Sequence, residues 1–411
     1  MSAAQAAAPL SLADLLEPAV LADPYPLYRR LREEDPVHWD PYLHSWVVTQ
    51  YDDVVTVLTR FSADRAPSSA FFEALGAAHV APVARLMVKQ MLFLDPPAHA
   101  RLRKLAAPAF TPARVRVLRE HIQKIANRLI EEIVARGDGR TELLADFAEP
   151  LPAIVTAEML GVPIDDHRKL KDWSATFAGM LGNFQHNPDQ LDAVLSAVDH
   201  LTAYFENAIQ EQRKYPRHGL IQALMSSEVD GDRLTDEEIV ANCIVTMVGG
   251  QETTTNLIGN GMLTLLRHPD HLARLRNEPH ITAAAVEELL RYESPSQHTA
   301  RLCPEDTLVG GKAIKKRQAV IAVMAAANRD PQRFPDPDRL DFDRADNRHL
   351  AFGWAAHFCF GAPLARLEAQ IAFESLLRQF RLLELATESL EWRANLGLRG
   401  LQALPLRFVA A

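Results

Sequence analysis

One thiol in the sequence lies where it could form a reactive thiolate. Cys359 follows a glycine-containing turn and directly precedes the predicted start of a helix, within residues 352–361. A helix N-terminus offers backbone N–H groups and positive potential, and both stabilise a thiolate. A free cysteine taken alone is more often a small buried apolar residue. Other motifs must therefore decide whether Cys359 is a reactive thiolate or a buried apolar residue.

Two pairs of charged residues stand at helical spacing and could bind or lock neighbouring groups. Glu288 and Arg291 share one face of a predicted helix and could form buried hydrogen bonds. His99 and Arg103 lie one turn apart and could present two cations to a pair of carboxylates. Either spacing also occurs on solvated helix surfaces, so neither pair is specific by itself.

A run of glycines and threonines interrupts the most apolar long segment. Gly249 and Gly250 are followed by Gln251, Glu252 and then a threonine run that begins at Thr253. In mid-helix each glycine costs about 1 kcal/mol relative to alanine. The run therefore indicates that the helix is locally opened or closely approached there, with a simple packing notch as the alternative.

The elements that must position these residues are mostly helices. Thr235 and Glu238 form a capping-box signature for a helix that ends at Arg267, and roughly 32 residues would span about 48 Å. Further helices are predicted at 25–34, at 51–59, in most of 97–164 with a break at 137–139, through 165–225 with a loop at 179–188, and at 363–380. Short strands are predicted at 37–39, at 45–49, and within 307–324 and 385–409. The predicted fold class is mainly α with a minor β region, in a single domain of residues 1–411.

Composition excludes several classes of protein. Of the 411 residues 48% are hydrophobic and 24% charged, as in ordinary globular proteins, which excludes disordered and fibrous classes. A net charge of −9 argues against nucleic acid as the main partner, and three cysteines are too few for a disulfide framework. The first residues lack the pattern of a signal peptide, and residues 239–266 contain polar residues that a lipid-facing helix tolerates poorly. We therefore expect a cytoplasmic protein that does not act in a membrane.

The segment around Cys359 resembles the haem-ligand loop of the cytochrome P-450 superfamily, the haem-thiolate monooxygenases. Residues 352–361 fit the family pattern F-x-x-G-x-[HR]-x-C-x-G except that Ala355 replaces a glycine. At positive φ an alanine would cost on the order of 1 kcal/mol. The Glu288 and Arg291 pair matches the family's E-x-x-R, and the glycine–threonine run matches its [AG]-G-x-[DE]-T. Because these motifs occur in the family's order, the resemblance covers nearly the whole chain.

The resemblance implies a cytochrome P-450 fold, in which a long central helix lies over a haem b held by the Cys359 thiolate. The residues implied to surround the haem are Phe352 and Gly361 in the ligand loop and, at the propionates, His99, Arg103, Arg301 and His357. Glu252 and Thr253 are implied to deliver protons during oxygen activation. Glu288 and Arg291 are implied to be structural.

The reaction implied is insertion of one oxygen atom from O₂, by hydroxylation or epoxidation, into an organic substrate. Ferredoxin and an NAD(P)H-dependent ferredoxin reductase would supply electrons to a monomeric enzyme, as in the bacterial class of the family. Candidates for a basic docking face are Arg101, Lys104, Arg114 and Arg116.

The family's topology also places a mostly apolar set of residues around the substrate pocket. These are Leu92, Val245, Val248, Gly249, Ser296, Gln297 and Leu396. They predict a medium-sized, largely apolar substrate of secondary metabolism, such as a terpenoid, fatty acid or polyketide-like product. Two alternatives remain open: a haem-thiolate enzyme that couples or rearranges its substrate without net oxygen insertion, and a haem-based sensor.

Overall fold

Helices dominate the computed structural model, which describes residues 10–66, 78–107, 111–181, 190–229 and 231–411. The α-helices are Pro18–Ala22, Tyr25–Glu34, Tyr51–Arg60, Ala81–Met87, Ala98–Ala106, Pro112–Val117, Arg119–Ala135, Pro150–Leu160, His167–Leu181, Leu191–Lys214, Leu220–Ser226, Asp236–Arg267, Pro269–Asn277, Thr282–Tyr292, Met324–Ala327 and Ala362–Gln379. The predicted mainly α class with a minor β region is confirmed.

Short strands form the minor β region. They are β1 Val37–Asp40, β2 Ser45–Val48, β3 Arg140–Glu142, β4 Glu228–Val229, β5 Asp232–Arg233, β6 Thr299–Leu302, β7 Thr307–Val309, β8 Lys312–Ile314, β9 Ala319–Ala322, β10 Phe380–Leu385 and β11 Pro405–Ala410. A four-stranded sheet has the order β1-β2-β9-β6, in which β2 and β9 are parallel. A three-stranded sheet has the order β10-β11-β3. The first sheet matters most for the site, because its edge strand β6 carries Arg301.

The central element is the helix Asp236–Arg267, called the long helix below. Thr235 caps it with the predicted capping box: its hydroxyl accepts the Glu238 N–H, and the Glu238 carboxylate accepts the Thr235 N–H. The helix ends directly before His268 and Pro269, as predicted. Nearly every turn from Ile239 onward is buried, so the helix runs through the protein interior rather than along its surface. Among the described residues, no helix combines the length and apolarity needed to cross a membrane.

The predicted Glu288 and Arg291 pair forms inside the core. Arg291 donates to both carboxylate oxygens of Glu288, at 2.8 and 2.7 Å, and both side chains are almost fully buried. Arg291 also donates to the carbonyl oxygens of Asn328 and Pro337 at 2.9 and 2.8 Å. The pair therefore fastens helix Thr282–Tyr292 to the irregular segment that leads to the Cys359 loop.

Two predicted features differ from the structure or lie outside it. The break at 137–139 is followed by strand β3, which pairs with β11 near the C-terminus; a three-residue strand with a distant partner leaves little pattern in the sequence. Of the loop predicted at 179–188, residues 179–181 continue a helix, and 182–188 lie outside the described residues.

Candidate active site

A cavity of about 930 Å³ lies between the long helix and the Cys359 loop. Its other walls include strand β6, residues 91–93 and parts of the helices Ala81–Met87, His167–Leu181, Leu191–Lys214 and Ala362–Gln379. Of the residues singled out in the sequence, those that line this cavity are Leu92, His99, Arg103, Val245, Val248, Gly249, Gly250, Thr253, Ser296, Arg301, Phe352, His357, Cys359 and Gly361. Motifs separated by up to hundreds of residues therefore converge on one internal space.

The Cys359 loop holds its thiol at the floor of the cavity. The Cys359 N–H donates to the Phe352 carbonyl oxygen at 2.8 Å, which closes the loop. Burial raises the pKa of the Cys359 thiol, while the Gly361 N–H and the Arg103 guanidinium act in the opposite direction. The predicted stabilisation by the helix N-terminus is therefore present but smaller than the cost of burial. A bound cation would be needed to hold this buried sulfur as a thiolate.

Ala355 adopts the left-handed conformation that the missing glycine would adopt, with φ at 55°. Because the Cβ atom is strained there, we expect Ala355→Gly to raise the free energy of unfolding by about 0.5–1 kcal/mol, after subtracting the greater freedom of glycine in the unfolded chain. Chemical unfolding of the purified protein measures this change. The matched control is Ala356→Gly at a position with no positive φ, which should be destabilising; a loss of stability in Ala355→Gly would contradict the expectation.

Four residues predicted to bind the propionates meet along one side of the cavity. The rings of His99 and His357 are in contact, with centroids 4.1 Å apart and planes tilted by 36°. Arg103 donates to the Phe358 carbonyl oxygen at 2.7 Å, beside the thiol. Arg301 donates to the Thr299 hydroxyl and the Ala300 carbonyl oxygen, and its buried Nε has no hydrogen-bond partner among the described residues.

Arg65 joins this cationic group, and the sequence analysis missed it. It lines the same cavity, and its guanidinium donates to the carbonyl oxygens of Ala63 and Leu92, at 3.2 and 3.4 Å. The residue lies shortly after helix Tyr51–Arg60, in a part of the sequence where no helical or strand period singles out one side chain. Only the folding of this stretch against β6 brings Arg65 near Arg301.

The electrostatics of this group fit a ligand with two carboxylates. Burial, followed by the neighbouring Arg301 charge, lowers the pKa of Arg65 to about 9, and burial lowers that of Arg301 to about 10. Burial and the nearby arginines lower the pKa of His357 to about 3, so this ring is neutral at pH 7. Asp95 is the carboxylate that offsets the charge of Arg65 and Arg301. Arg103 adds a third guanidinium charge to this side of the cavity, and two propionates would supply further negative charge.

The glycine–threonine run forms a groove where the long helix meets the cavity. A Cβ atom on Gly249 would point into open space, whereas one on Gly250 would lie 2.8 Å from the Thr156 hydroxyl on the opposite side. The run therefore serves both predicted purposes, an opening and a close packing contact. The Thr253 hydroxyl lines the groove and donates to the Gly249 carbonyl oxygen at 2.7 Å.

Glu252 is oriented differently from its neighbour Thr253. Its carboxylate pairs with Arg393 at 2.5 Å, and Arg393 also pairs with Glu149 at 2.7 Å. Lys171, which is one-third exposed, pairs with Glu149 in turn. Glu252 is therefore not among the residues that line the cavity, and a line of ion pairs leads from it toward solvent.

Two residues predicted for the substrate pocket lie elsewhere. Gln297 accepts a hydrogen bond from Tyr28 at 2.8 Å and donates to the Ser294 carbonyl oxygen, and Leu396 packs in the core cluster of the N-terminal helices. In extended chain successive side chains point to opposite sides. Ser296 faces the cavity, so the adjacent Gln297 faces away from it, and the sequence alone does not fix which alternate set points inward.

Comparison with known proteins gives the family and the fold. The family model described as Cytochrome P450 matches residues 46–397. The chain is 41% identical to the cytochrome P450 monooxygenase PikC of Streptomyces venezuelae, covering 94% of this chain and 91% of that protein. It is 35% identical to the polyketide biosynthesis cytochrome P450 PksS of Bacillus subtilis, covering 93% and 95%. Among solved structures, P450BioI in complex with an acyl carrier protein ligated to hexadec-9Z-enoic acid superposes with a TM-score of 0.88 and 36% identity, covering 95% of this chain and 99% of that one.

Proposed function

Because the chain belongs to the cytochrome P450 family, we propose that it inserts one oxygen atom from O₂ into a medium-sized, largely apolar substrate held in the cavity above Cys359. The family assignment makes the protein a haem-dependent monooxygenase. The observation that carries the finer proposal is the cavity itself, which has a thiol at one end, a cationic side and an apolar wall.

The cationic side and the thiol are suited to haem b. Cys359 would bind the iron, and Arg65, Arg103 and Arg301, with His99 and His357, would hold the propionates. When bound, a thiolate-ligated haem supplies O₂ activation and favours cleavage of the O–O bond. The Nε of Arg301, which has no hydrogen-bond partner in the described part of the chain, and the surplus positive charge support this assignment.

Thr253 and Glu252 are proposed to manage protons at the groove. The Thr253 hydroxyl donates its hydrogen bond to the Gly249 carbonyl oxygen, and rotation about χ1 would direct the hydroxyl into the cavity. To deliver a proton to the groove, the Glu252 carboxylate would have to leave its ion pair with Arg393 and turn toward the cavity. General acid catalysis of this kind contributes about 10²- to 10⁴-fold in rate.

The apolar wall indicates the class of substrate. Flexible methionines are prominent in it, at Met87, Met91 and Met180, and such side chains adapt to irregular apolar shapes. Thr246 and Ser296 add polar groups. PksS is named for polyketide biosynthesis, and P450BioI was solved with a fatty acyl carrier. We therefore place the substrate among acyl chains and polyketide-like products.

Electrons are proposed to come from a ferredoxin and its reductase, but the predicted docking face needs revision. Arg101 is engaged within the chain, donating to Glu238 at 2.6 Å and pairing with Asp232. The Arg114 side chain lies outside the described residues. Arg116 is exposed, next to Val117, which is 80% exposed. Lys104 is exposed as well, and Lys104 and Arg116 are the members of the predicted face that we retain.

Labelled oxygen tests the proposal directly. The haem-loaded enzyme, with a ferredoxin, its reductase and NAD(P)H, would be supplied with a panel of fatty acids and polyketide-like compounds under ¹⁸O₂. One labelled oxygen atom in the product supports monooxygenation. A coupled or rearranged product without label would support the alternative reaction, and binding without any turnover of the panel would favour a sensor.

Removing the Thr253 hydroxyl should separate electron consumption from product formation. We expect Thr253→Ala to continue consuming NAD(P)H but to lower product yield by roughly 10- to 100-fold and to release hydrogen peroxide instead. The ratio of product to NAD(P)H consumed measures this.

Thr264→Ala is the matched control, because Thr264 makes the same bond to the carbonyl oxygen four residues earlier on the same helix but does not line the cavity. Thr254 lines the cavity and is therefore unsuitable as a control. Full coupling in Thr253→Ala would assign the proton path to other groups.

A further inference from the structure

The side-chain amide of Asn242 connects the long helix to one wall of the cavity. Its Oδ1 accepts the Met91 N–H at 3.0 Å, and its Nδ2 donates to the Lys89 carbonyl oxygen at 3.1 Å. Nδ2 also donates to the Glu238 carbonyl oxygen, one turn earlier on the helix, at 2.8 Å. Both donor hydrogens and the acceptor of this buried amide are therefore in use, so its orientation is determined.

The backbone that Asn242 binds belongs to residues 89–93, called the wall segment here. Met91, Leu92 and Phe93 of this segment line the cavity. At its other end, Arg65 donates to the Leu92 carbonyl oxygen and lies 4.7 Å from the centre of the Phe93 ring. The wall segment is thus held between the long helix and the cationic side of the cavity.

Gln90, in the middle of the wall segment, makes this placement energetically less favourable. The Gln90 side chain is fully buried, and neither its oxygen nor its nitrogen has a hydrogen-bond partner among the described residues. Burying an amide without partners is unfavourable, because its hydrogen bonds to water are lost and not replaced. The hydrogen bonds of Asn242 must therefore offset the cost of burying Gln90.

We propose that Asn242 is a positioning residue that sets the apolar wall of the cavity and, through it, the fit of the substrate. Asn242 does not itself line the cavity, so it acts through the backbone of the wall segment. This inference rests on the proposed function only in taking the occupant of the cavity to be the substrate.

Amide hydrogen exchange of the haem-loaded protein tests the placement without substrate or redox partners. In Asn242→Ala the Met91 amide loses its acceptor, and its exchange should become at least about tenfold faster. The matched control is Asn260→Ala, which removes a buried bond from the same helix to the Arg399 carbonyl oxygen and should leave Met91 exchange unchanged. Equal acceleration in both variants, or none in Asn242→Ala, would overturn the proposal.

A second variant keeps the test independent of any loss of stability. Gln90→Met removes the unpartnered amide and keeps an apolar side chain of similar length, so it should slow Met91 exchange in the wild-type background. Faster Met91 exchange in Gln90→Met would contradict the inference that the buried Gln90 amide destabilises the wall segment and that the hydrogen bonds of Asn242 offset this cost.

Binding of hexadec-9Z-enoic acid, followed by the haem spectrum, then tests the effect on fit. Asn242→Ala should weaken binding about 5- to 10-fold with haem content unchanged. Unchanged affinity together with fast Met91 exchange would limit the role of Asn242 to the backbone and overturn its role in fit. The exchange results stand even if the enzyme does not insert oxygen, so failure of the proposed function is distinguishable.

Discussion

Replacing Cys359 by histidine should abolish the red-shifted Soret band of the reduced carbon monoxide complex while leaving some haem bound. The cavity and its cationic side remain in this variant, so haem would keep its proposed contacts with Arg103 and Arg301, while the ligand offered to the iron would change from sulfur to nitrogen. Monooxygenase activity should fall to the background level, because the thiolate favours O–O cleavage. Absorption spectroscopy of the purified variant measures the ligand directly.

The two other cysteines provide the controls for Cys359. Cys243 is buried within the long helix, and burial raises the pKa of its thiol. Cys303 follows strand β6 and donates to the Glu305 carbonyl oxygen. Neither lines the cavity, so Cys243→Ala and Cys303→Ala should keep the thiolate spectrum. A red-shifted band that persists in Cys359→His would show that the ligand assignment is wrong.

Loss of Arg301 or Arg65 should weaken haem retention by roughly 100- to 5,000-fold. Removing one partner of a buried charge pair costs about 3–5 kcal/mol, since the other charge is left buried and unpaired. The size of this penalty depends on burial, and burial is what lowers the pKa of both arginines. Haem transfer to apomyoglobin measures the change for Arg301→Ala and Arg65→Ala.

Arg381→Ala controls for a general loss of positive charge. Arg381 is exposed on strand β10, away from the cavity, so its removal should leave the rate of haem transfer unchanged. Wild-type retention in Arg301→Ala would remove that residue from the propionate site. Wild-type retention in Arg65→Ala alone would limit its role to the Leu92 and Phe93 contacts.

Features encoded by neighbouring residues were predictable from the sequence. The long helix starts and ends at the predicted residues, because a capping box and a following proline are local signals. The left-handed Ala355 and the Glu288 and Arg291 pair were expected from their resemblance to family motifs a few residues long, whereas the burial of that pair depends on the fold. Such patterns fix dihedral angles and helix faces, which depend on adjacent residues only.

Contacts between distant parts of the chain were decided by the tertiary structure. Arg393 meets Glu252 across 141 residues, and no periodicity in either segment indicates the other. Arg65 becomes part of the cationic side only because an irregular stretch folds against strand β6. Gln297 points away from the cavity because packing on both sides of an extended chain decides which alternate set faces inward. Leu396 lies in a bend closed by the Asn395 side chain and packs against the N-terminal helices instead. The sequence by itself determined the ligand loop, the groove and the helix that carries it. The partners of the charged residues were left to the fold, because burial and long-range approach decide which charges meet.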